Sequence, residues 1–163
     1  MMTHFTIDDR HREQREAVRA FCESEVEPYV EEYEQNGEFP REIVEAVGEA
    51  GFHGVPYPEE YGGAGKDYRS FAITTEELAR SWKLLAGIVS GASCLVGYPI
   101  AEFGNEWQKD EWLRGLATGQ AVGALSLTEP EAGSDAASLQ TTAEKDGDEW
   151  VIDGHKVWTT NGA

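Results

Sequence analysis

The segment Ala121-Val122-Gly123-Ala124-Leu125-Ser126-Leu127-Thr128, followed directly by Glu129-Pro130-Glu131-Ala132-Gly133-Ser134-Asp135, decides the fold of this chain. Its first part is a short apolar run without helical spacing, which predicts a strand. Its second part is rich in Pro, Gly and small polar residues, which predicts a loop. The residues before the segment have helical periodicity, and those after it alternate as strands do. Because helices followed by strands form segregated units, we predict an α+β protein with a helical domain over residues 1–120 and a β domain over residues 121–163.

Apolar residues in the first part of the chain recur at three- and four-residue spacing, which predicts amphipathic helices. The predicted helices are Asp8–Tyr33 with a bend at Pro28, a second from Pro40 to Gly51, a third over Tyr68–Trp82, a fourth over Leu84–Phe103, and a fifth from the capping box of Asn105 and Gln108 to Gly119. The fourth helix is apolar on more than one side, which indicates burial among the others. Together they predict an N-terminal all-α helical bundle.

The second part of the chain has alternating stretches separated by turn signals. The predicted strands are Ala121–Thr128, Leu139–Glu144, Glu149–Ile152 and Lys156–Thr160, with turns at Lys145–Asp148 and Asp153-Gly154. The pair Asn161-Gly162 is a strong hairpin signal, yet only Ala163 follows it. We therefore expect the chain to be truncated after the first strands of its β domain.

The chain is strongly acidic, with 31 Asp and Glu residues against 13 Lys and Arg residues and a formal net charge of −18. These residues are spread along the chain, which indicates a charged coat on the folded surface. Such a surface repels nucleic acid and anionic membranes, so we expect binding to neither. Solubility alone would account for the coat. The alternative is adaptation to high salt, where the Debye length falls to about 3 Å at 1 M.

The sequence predicts no targeting segment and no metal site. No apolar run approaches the roughly 20 residues that span a bilayer, and the N-terminal residues Met1–Phe5 are neither basic nor followed by a long apolar stretch. We therefore expect a reduced, cytoplasmic setting. Cys22 and Cys94 give neither a disulfide framework nor a metal-ligand spacing. The histidines lack such spacing too, and we expect all of them in turns or in solvent: His4, His11, His53 and His155.

Two glycine-containing loops are candidate binding sites. The loop Gly54–Gly65 lacks both common phosphate-binding spacings, so we predict a structural turn there. In the loop Thr128–Asp135, glycine and serine allow an anion to approach backbone N–H groups, although the loop contains no Lys or Arg. On these residues alone an ordinary surface turn is the favoured interpretation.

Three segments resemble motifs of the acyl-CoA dehydrogenase family, in the family's order. Thr128–Asp135 is similar to the signature Thr-Glu-Pro-x-Ala-Gly-Ser-Asp, Gly54–Gly65 resembles a Gly-x-Pro-x-Pro-Glu-Glu-Tyr-Gly-Gly-x-Gly loop, and Lys156–Gly162 resembles a second flavin segment, Lys-x-Trp-Ile-Thr-Asn-Gly. The resemblance extends over essentially the whole chain. It implies FAD as the cofactor and an all-α bundle followed by the first strands of a β-barrel-like flavin-binding domain.

The resemblance also implies which residues of the first flavin segment bind the cofactor. They are Leu125, Leu127, Thr128, Gly133 and Ser134. Thr128 would bond the pyrimidine side of the isoalloxazine ring, and the two leucines would contact the ring. Ser134 would lie where the cofactor pyrophosphate and the acyl-CoA approach each other, which makes it the implied substrate-binding residue as well.

In the second flavin segment the implied cofactor-binding residues are Trp158, Thr159 and Thr160. Trp158 would pack on the flavin, and the Thr160 hydroxyl would lie near flavin N5, the atom that accepts hydride. Thr159 departs from the family, which usually has Ile there. Its side chain is expected to alternate away from its neighbours, so we expect modest consequences for the pocket wall. Outside the motif, Trp158 would be interpreted as a core residue and Thr160 as a strand hydroxyl.

The family reaction, oxidation of a fatty acyl-CoA to a trans-2-enoyl-CoA, is implied for the full-length protein. In the family a Glu of a later helical domain removes the α-proton and the β-hydride passes to flavin N5. The carboxylates Glu129, Glu131 and Asp135 are therefore interpreted as loop-shaping or solvated rather than as acid–base catalysts. Because family members run well over twice this length, the catalytic Glu is expected outside the chain. We predict no catalytic residue in it and no turnover by it alone.

For the full-length protein the resemblance also implies an electron-transfer flavoprotein as acceptor and a homo-oligomer, either a tetramer or a dimer. Two alternatives stay open. A related-fold acyl-CoA oxidase or flavin monooxygenase would share these motifs, and would yield hydrogen peroxide or a hydroxylated substrate when the reduced enzyme meets oxygen. A non-catalytic helical interaction module would be a short independent protein, and the reading frame downstream of codon 163 would distinguish it.

Overall fold

The computed structural model describes residues Thr6–Gly162, and the chain separates into two compact units, Met1–Gly123 and Ala124–Ala163. The α-helices belong to the first unit and a two-stranded sheet belongs to the second, so the predicted α+β class is confirmed. The expectations for His4 and for the N-terminal residues Met1–Phe5 fall outside the described residues.

The first predicted helix forms, but its helical type changes along its length. In order, the elements are α1 (Asp9–Phe21), a π-helical turn (Cys22–Val26), a 3₁₀ turn (Glu27–Tyr29) and α2 (Val30–Asn36). Asp8 caps α1 by accepting the His11 N–H at 3.2 Å. Pro28 was expected to bend or interrupt the helix, and the interruption is confirmed: this residue lies in the 3₁₀ turn, where its missing N–H interrupts the α-helical hydrogen bonds.

The other predicted helices form in the expected order. They are α3 (Arg41–Glu49), α4 (Tyr68–Ser81), α5 (Lys83–Ser90), α6 (Tyr98–Phe103), α7 (Glu106–Gln108) and α8 (Arg114–Ala117), with π-helical turns at Gly91–Gly97 and Lys109–Leu113. The π-helical turns join α5 to α6 and α7 to α8 without a break. The predicted capping box is confirmed, because Asn105 Oδ1 accepts the Gln108 N–H at 2.9 Å.

The continuous helix Lys83–Phe103 is 21 residues long and, by length and composition only, apolar enough to cross a membrane. The expectation that no apolar stretch approaches this length was wrong. It counted uninterrupted apolar residues, and Gly and Ser residues interrupt the apolar ones in this helix although its mean hydropathy is high. Core helices of soluble proteins pass the same test. Leu85, Ile88 and Val89 of this helix are indeed buried in the helical unit.

The core of the helical unit joins the inner faces of α1, α3, α4 and α5. Its buried residues are Val18, Cys22, Val26, Ile43, Val44, Val47, Phe52, Leu78, Trp82, Leu85, Ala86, Ile88 and Val89. The indole N–H of Trp82 donates to Glu34 Oε1 at 2.6 Å, which satisfies the polar edge of a buried ring. A smaller cluster contains Tyr57, Leu113 and Ala117. The helical spacing of apolar residues in the sequence thus corresponds to burial.

The loop Gly54–Gly65 is a structural turn, as predicted. Backbone hydrogen bonds hold the two sides of this loop together: Ala64 N–H donates to Gly54 O at 2.9 Å, and Gly65 N–H donates to Tyr57 O at 2.8 Å. Glycine is required at position 63, because a Cβ atom there would lie 2.1 Å from the Tyr57 carbonyl oxygen.

The sheet of the second unit is an antiparallel hairpin of β1 (Thr142–Asp146) and β2 (Glu149–Asp153). Thr142 pairs with Asp153 at one end and Asp146 with Glu149 at the other, which leaves a two-residue loop. The first loop residue, Gly147, has φ 64°, which the primed turns of such hairpins require. The predicted hairpin is therefore confirmed, although β1 begins at Thr142 and not at Leu139. Two predicted turns are wrong in their bounds, because Lys145 and Asp146 belong to β1 and Asp153 belongs to β2.

Two predicted strands are wrong. Neither Ala121–Thr128 nor Lys156–Thr160 forms a strand among the described residues, although the two segments meet through one backbone hydrogen bond, from Val157 N–H to Thr128 O at 2.8 Å. A strand needs a ladder of such bonds, and apolar composition alone does not supply one. The turn near the end is also shifted by one residue, because Gly162 N–H donates to Thr159 O and places Thr160 and Asn161 at its centre.

Candidate functional site

The two segments that carry the predicted flavin contacts lie side by side in the second unit. Besides the backbone bond between Val157 and Thr128, the hydroxyls of Ser126 and Thr159 lie 2.9 Å apart. The partners advance in opposite directions along the two segments, so the pairing is antiparallel. The structure thus brings the first segment, around Thr128, next to the second, around Thr159.

The apolar side chains of this pairing point to solvent. Leu125 is 44% exposed, Leu127 is 49% exposed and Trp158 is 89% exposed. Trp158 therefore belongs to no core formed by the described residues. Exposed large apolar groups on adjacent segments are typical of a binding surface.

Trp158 also has an unusual backbone conformation. Its φ is 60°, a region that side chains with a Cβ atom rarely occupy. Such conformations cluster at functional sites, where the surroundings hold them in place. The left-handed residue breaks strand alternation, so the argument that Thr159 alternates away from its neighbours does not apply. Thr159 is half-buried and its hydroxyl is bound to Ser126.

The hydroxyl residues of the predicted site differ in exposure. Thr128 is half-buried, while Thr160 and Ser134 are exposed. Gly133 and Ser134 follow a tight turn in which Glu129 N–H donates to Ala132 O at 3.0 Å and Ala132 N–H donates to Glu129 O at 3.2 Å. All the predicted site residues therefore belong to this unit, and the structure brings the two segments together through Thr128 and Thr159.

Glu129 organises the loop, which residue type alone did not reveal. It is 5% exposed, and its carboxylate accepts the backbone N–H of Gln140 at 2.6 Å and of Thr141 at 3.0 Å. The Thr141 hydroxyl donates to it at 2.5 Å and Lys156 Nζ at 2.8 Å. The hydrogen bond from Lys156, followed by those from Thr141 and Gln140, lowers the pKa of Glu129 to about 2.

Lys156 is the second residue that sequence reasoning missed. The loop Thr128–Asp135 itself contains no cation, but Lys156 approaches it from the other segment and also donates to Leu127 O at 2.9 Å. A signal was available, because Lys145 and Lys156 are the only Lys or Arg residues between residues 124 and 163. A single lysine in the second motif segment predicts an ion pair with a carboxylate of the acidic loop in the first.

The interpretation of the loop carboxylates as loop-shaping or solvated is confirmed. Glu129 fixes the loop, and Asp135 accepts the Ser138 hydroxyl at 2.5 Å at the start of a 3₁₀ turn, Ala136–Ser138. Glu131 is exposed on the outer side of the tight turn.

The histidine prediction is wrong for two residues. His11 is buried, where its Nδ1 accepts the Asp8 backbone N–H at 3.2 Å and its Nε2 lies 3.0 Å from Asp67 Oδ2. His53 is buried as well, with Nε2 3.1 Å from Val44 O. Local spacing did not show this, because both rings are enclosed by elements that pack together only in the fold. His155 is exposed, as predicted.

The described part of the chain contains no set of side chains that could bind a metal ion. No group of three or more His, Cys, Asp or Glu side chains there could hold an ion. Cys22 is buried, Cys94 is exposed, and both are free. Desolvation raises the pKa of both thiols, which disfavours the reactive thiolate.

The chemistry of the paired segments suits a flavin. An isoalloxazine ring presents flat apolar faces and a polar edge, and the exposed Trp158 ring with Leu125 and Leu127 supplies apolar surface beside the hydroxyls of Thr128 and Thr160. The tight turn ahead of Ser134 leaves an exposed glycine and hydroxyl for a phosphate. The residues therefore fit the cofactor that the resemblance implies.

Comparison with known families agrees with the motifs. The N-terminal domain of acyl-CoA dehydrogenases matches residues 8–120, and the middle domain matches residues 124–163. A probable acyl-CoA dehydrogenase, YngJ, of Bacillus subtilis is 42% identical over 158 residues, which is 97% of this chain and 42% of that protein.

Two solved structures are similar over 98% of this chain. One was solved in work on the electron transferring flavoprotein of Acidaminococcus fermentans and flavin-based electron bifurcation, with 38% identity, a TM-score of 0.93 and 42% of that chain covered. The other is an acyl-CoA dehydrogenase complexed with FAD from Bacillus anthracis, with 36% identity, a TM-score of 0.89 and 28% of that chain covered. This chain thus spans well under half the length of the proteins it matches.

Proposed function

The chain belongs to the acyl-CoA dehydrogenase family of flavin-dependent oxidoreductases, and we propose that it is the N-terminal part of an enzyme that oxidises acyl-CoA to trans-2-enoyl-CoA with FAD. The observation that carries this proposal is the antiparallel pairing of the two motif segments through Val157 N–H and Thr128 O. In this pairing Leu127 and Trp158 are the next residues along the two segments, and the side chains of both are exposed.

Each residue of this surface has a role in the proposed site. Trp158 would pack on the isoalloxazine ring, Leu125 and Leu127 would supply apolar contact, and the Thr128 hydroxyl would bond the pyrimidine side. The Thr160 hydroxyl would bind near the reactive edge of the ring, and Thr159 would form part of the pocket wall. Gly133 and Ser134 would hold the pyrophosphate, and Ser134 would also contact the acyl-CoA. These assignments are supported by motif position and by the exposure of the side chains concerned.

When bound, FAD supplies the acceptor for the hydride that leaves the β-carbon of the substrate. The residues of this chain bind and orient, and the proposed base for the α-proton lies outside it. Glu129 is unsuited to that task, because its carboxylate already accepts four hydrogen bonds and its pKa is lowered to about 2. Such a carboxylate stays ionised and is a weak proton acceptor.

The proposal for the whole protein includes further partners. We assign it an electron-transfer flavoprotein as acceptor, assembly as a homo-tetramer or dimer, and a cytoplasmic setting. The similarity to a chain solved in work on an electron transferring flavoprotein supports the acceptor.

We also propose that the acidic coat is an adaptation to high salt. Of the 31 acidic residues, only Glu77 and Glu129 are buried, so nearly all the negative charge faces solvent. Salt screens repulsion between exposed charges at distances beyond the Debye length.

Flavin binding by the purified 163-residue chain tests the central proposal. After removal of free FAD, we expect visible flavin absorption to stay with the chain, and Trp158→Ala to weaken binding by about tenfold or more, the loss typical of a buried aromatic contact. Trp150→Ala is the matched control, because Trp150 is an exposed Trp of β2 in the same unit. Equal losses for both variants, or no retained flavin, would contradict the assignment.

A further inference from the structure

An ion pair with a buried carboxylate connects the extended segments of the second unit. Glu129 is buried and Lys156 is half-buried. A polar network of this kind can help to specify a single arrangement of the segments it joins.

The pair connects three stretches of chain. Lys156 Nζ donates to Glu129 Oε1 and to Leu127 O, which ties the second flavin segment to the first. Glu129 in turn accepts the N–H groups of Gln140 and Thr141 ahead of the hairpin. Three of the four donors bind Oε1 and one binds Oε2, so both carboxylate oxygens of Glu129 are engaged.

The ion pair also lies next to the backbone bond that joins the segments. Glu129 follows Thr128 and Lys156 precedes Val157, so in the antiparallel pairing the ion pair is on one side of the bond from Val157 N–H to Thr128 O, and the contact of Ser126 with Thr159 is on the other. A shift of the pairing by one residue would move Lys156 away from the carboxylate of Glu129 and would break the bond from Val157 N–H to Thr128 O. The ion pair thus favours one register.

We propose that Glu129 and Lys156 are positioning residues that set the antiparallel register of residues 125–129 against residues 156–160, and thereby hold Trp158 and Thr128 in the arrangement that receives the flavin. The first part of this inference concerns the chain without cofactor. Only its last part rests on the proposed function.

The two partners are not interchangeable. Glu129 accepts from backbone N–H groups as well as from Lys156, so an ammonium at position 129 would face donors only. The exchanged pair, Glu129→Lys with Lys156→Glu, therefore does not restore the register, although it keeps both charges. Lys156→Arg keeps a positive charge and hydrogen-bond donors at position 156, so we expect it to keep the register.

Amide hydrogen exchange of the 163-residue chain without flavin tests the register. We expect Lys156→Met and Glu129→Gln to speed exchange of the Val157 amide by about tenfold or more, because each removes a charged hydrogen-bond partner. Lys156→Arg keeps near-parental exchange. The matched controls are Lys145→Met and Glu131→Gln, which alter exposed residues of the same types in the same unit. Unchanged Val157 exchange in Lys156→Met and Glu129→Gln, or equal effects in the controls, would overturn the inference.

A second measurement addresses the cofactor. At saturating FAD, the visible circular dichroism of bound flavin is expected to change in Lys156→Met and to return in Lys156→Arg, which mere loss of stability would not produce. If the parent chain binds no FAD, the proposed function fails for this chain while amide exchange still decides the register. If the parent binds FAD and Lys156→Met has the same affinity and the same spectrum, the positioning role is wrong.

Discussion

Arg15 Nη1 lies 2.6 Å from Glu77 Oε1, so a guanidinium of α1 neutralises a carboxylate of α4 that is 1% exposed. Arg19 at 3.0 Å and Arg80 at 3.2 Å approach the same carboxylate. Burial raises the pKa of Glu77, but hydrogen bonds from Arg19, Arg15 and Arg80 outweigh it and hold the pKa below its ordinary value. The interface between α1 and α4 therefore contains an ion-pair cluster around Glu77 beside its apolar contacts.

Replacing Glu77 tests how much this ion-pair cluster contributes to stability. We expect Glu77→Gln to lower the free energy of unfolding by about 3 kcal/mol, because it leaves guanidinium groups against a buried neutral amide. The matched control is Glu76→Gln, whose exposed carboxylate pairs with Arg15 at 2.7 Å and is expected to contribute about 0–1 kcal/mol. Urea unfolding followed by helical circular dichroism measures both. Equal stability of the two variants would contradict the prediction.

His53 gives the helical unit a dependence on pH. Burial lowers the pKa of this histidine from its ordinary value of 6.5, and its Nδ1 has no hydrogen-bond partner among the described residues. The folded state then binds fewer protons than the unfolded state, so stability is retained above about pH 6.5 and falls as the pH decreases toward the lowered value. Urea unfolding between pH 8 and pH 5 measures the slope. His53→Gln should flatten it and His155→Gln should not, whereas a slope that persists in His53→Gln would assign it to other groups.

Tyr57 supports the π-helical turn Gly91–Gly97. Its hydroxyl, which is buried, donates to the Ser93 carbonyl oxygen, and Ser93 Oγ donates to His53 O at 2.6 Å. We expect Tyr57→Phe to cost about 1 kcal/mol of unfolding free energy, because the Ser93 carbonyl loses one of its two donors and keeps only the Tyr98 N–H. Tyr61→Phe is the control, since its exposed bond to Glu106 is expected to contribute less than about 1 kcal/mol. A loss for Tyr61→Phe as large as for Tyr57→Phe would refute this role.

The acidic coat predicts a stability that rises with salt. We expect the melting temperature to increase by about 4 °C or more between low and molar KCl, as screening relieves repulsion among exposed carboxylates. A variant with Glu32, Glu45 and Glu49 changed to Gln, all exposed in the helical unit, should depend less on salt. Thermal melts of both chains decide this, and a parent melt that does not rise would argue for solubility alone.

The isolated chain is expected to be inactive. No dye reduction should occur with any acyl-CoA, because the chain spans about 42% of a related acyl-CoA dehydrogenase and its buried carboxylates, Glu77 and Glu129, are occupied by cations. Dye reduction above the rate of a heat-denatured sample would overturn this prediction.

Much of the fold was predictable because its signals are local. Apolar spacing located the helices, Pro28 marked the change of helical type, and the glycine at position 147 marked the hairpin. The prediction of strands at Ala121–Thr128 and Lys156–Thr160 was wrong for a related reason. Their composition is that of strands, but a strand exists only where a neighbour completes its hydrogen bonds.

The candidate site was predictable only as a set of motif positions. Resemblance named Thr128 and Trp158, but it did not indicate the positive φ of Trp158 or its exposure. It also passed over Lys156 as a partner of Glu129, because the two residues are 27 positions apart in sequence.

The sequence by itself determined the helical and hairpin segments and the family, since periodicity, turn chemistry and motifs are properties of neighbouring residues. Only the tertiary structure decided which polar groups are buried and what neutralises them: Glu77 with arginines of two helices, His53 against Val44, and Glu129 with Lys156. The physical reason is that the cost of burying a charge or a ring nitrogen depends on partners that folding brings from distant positions.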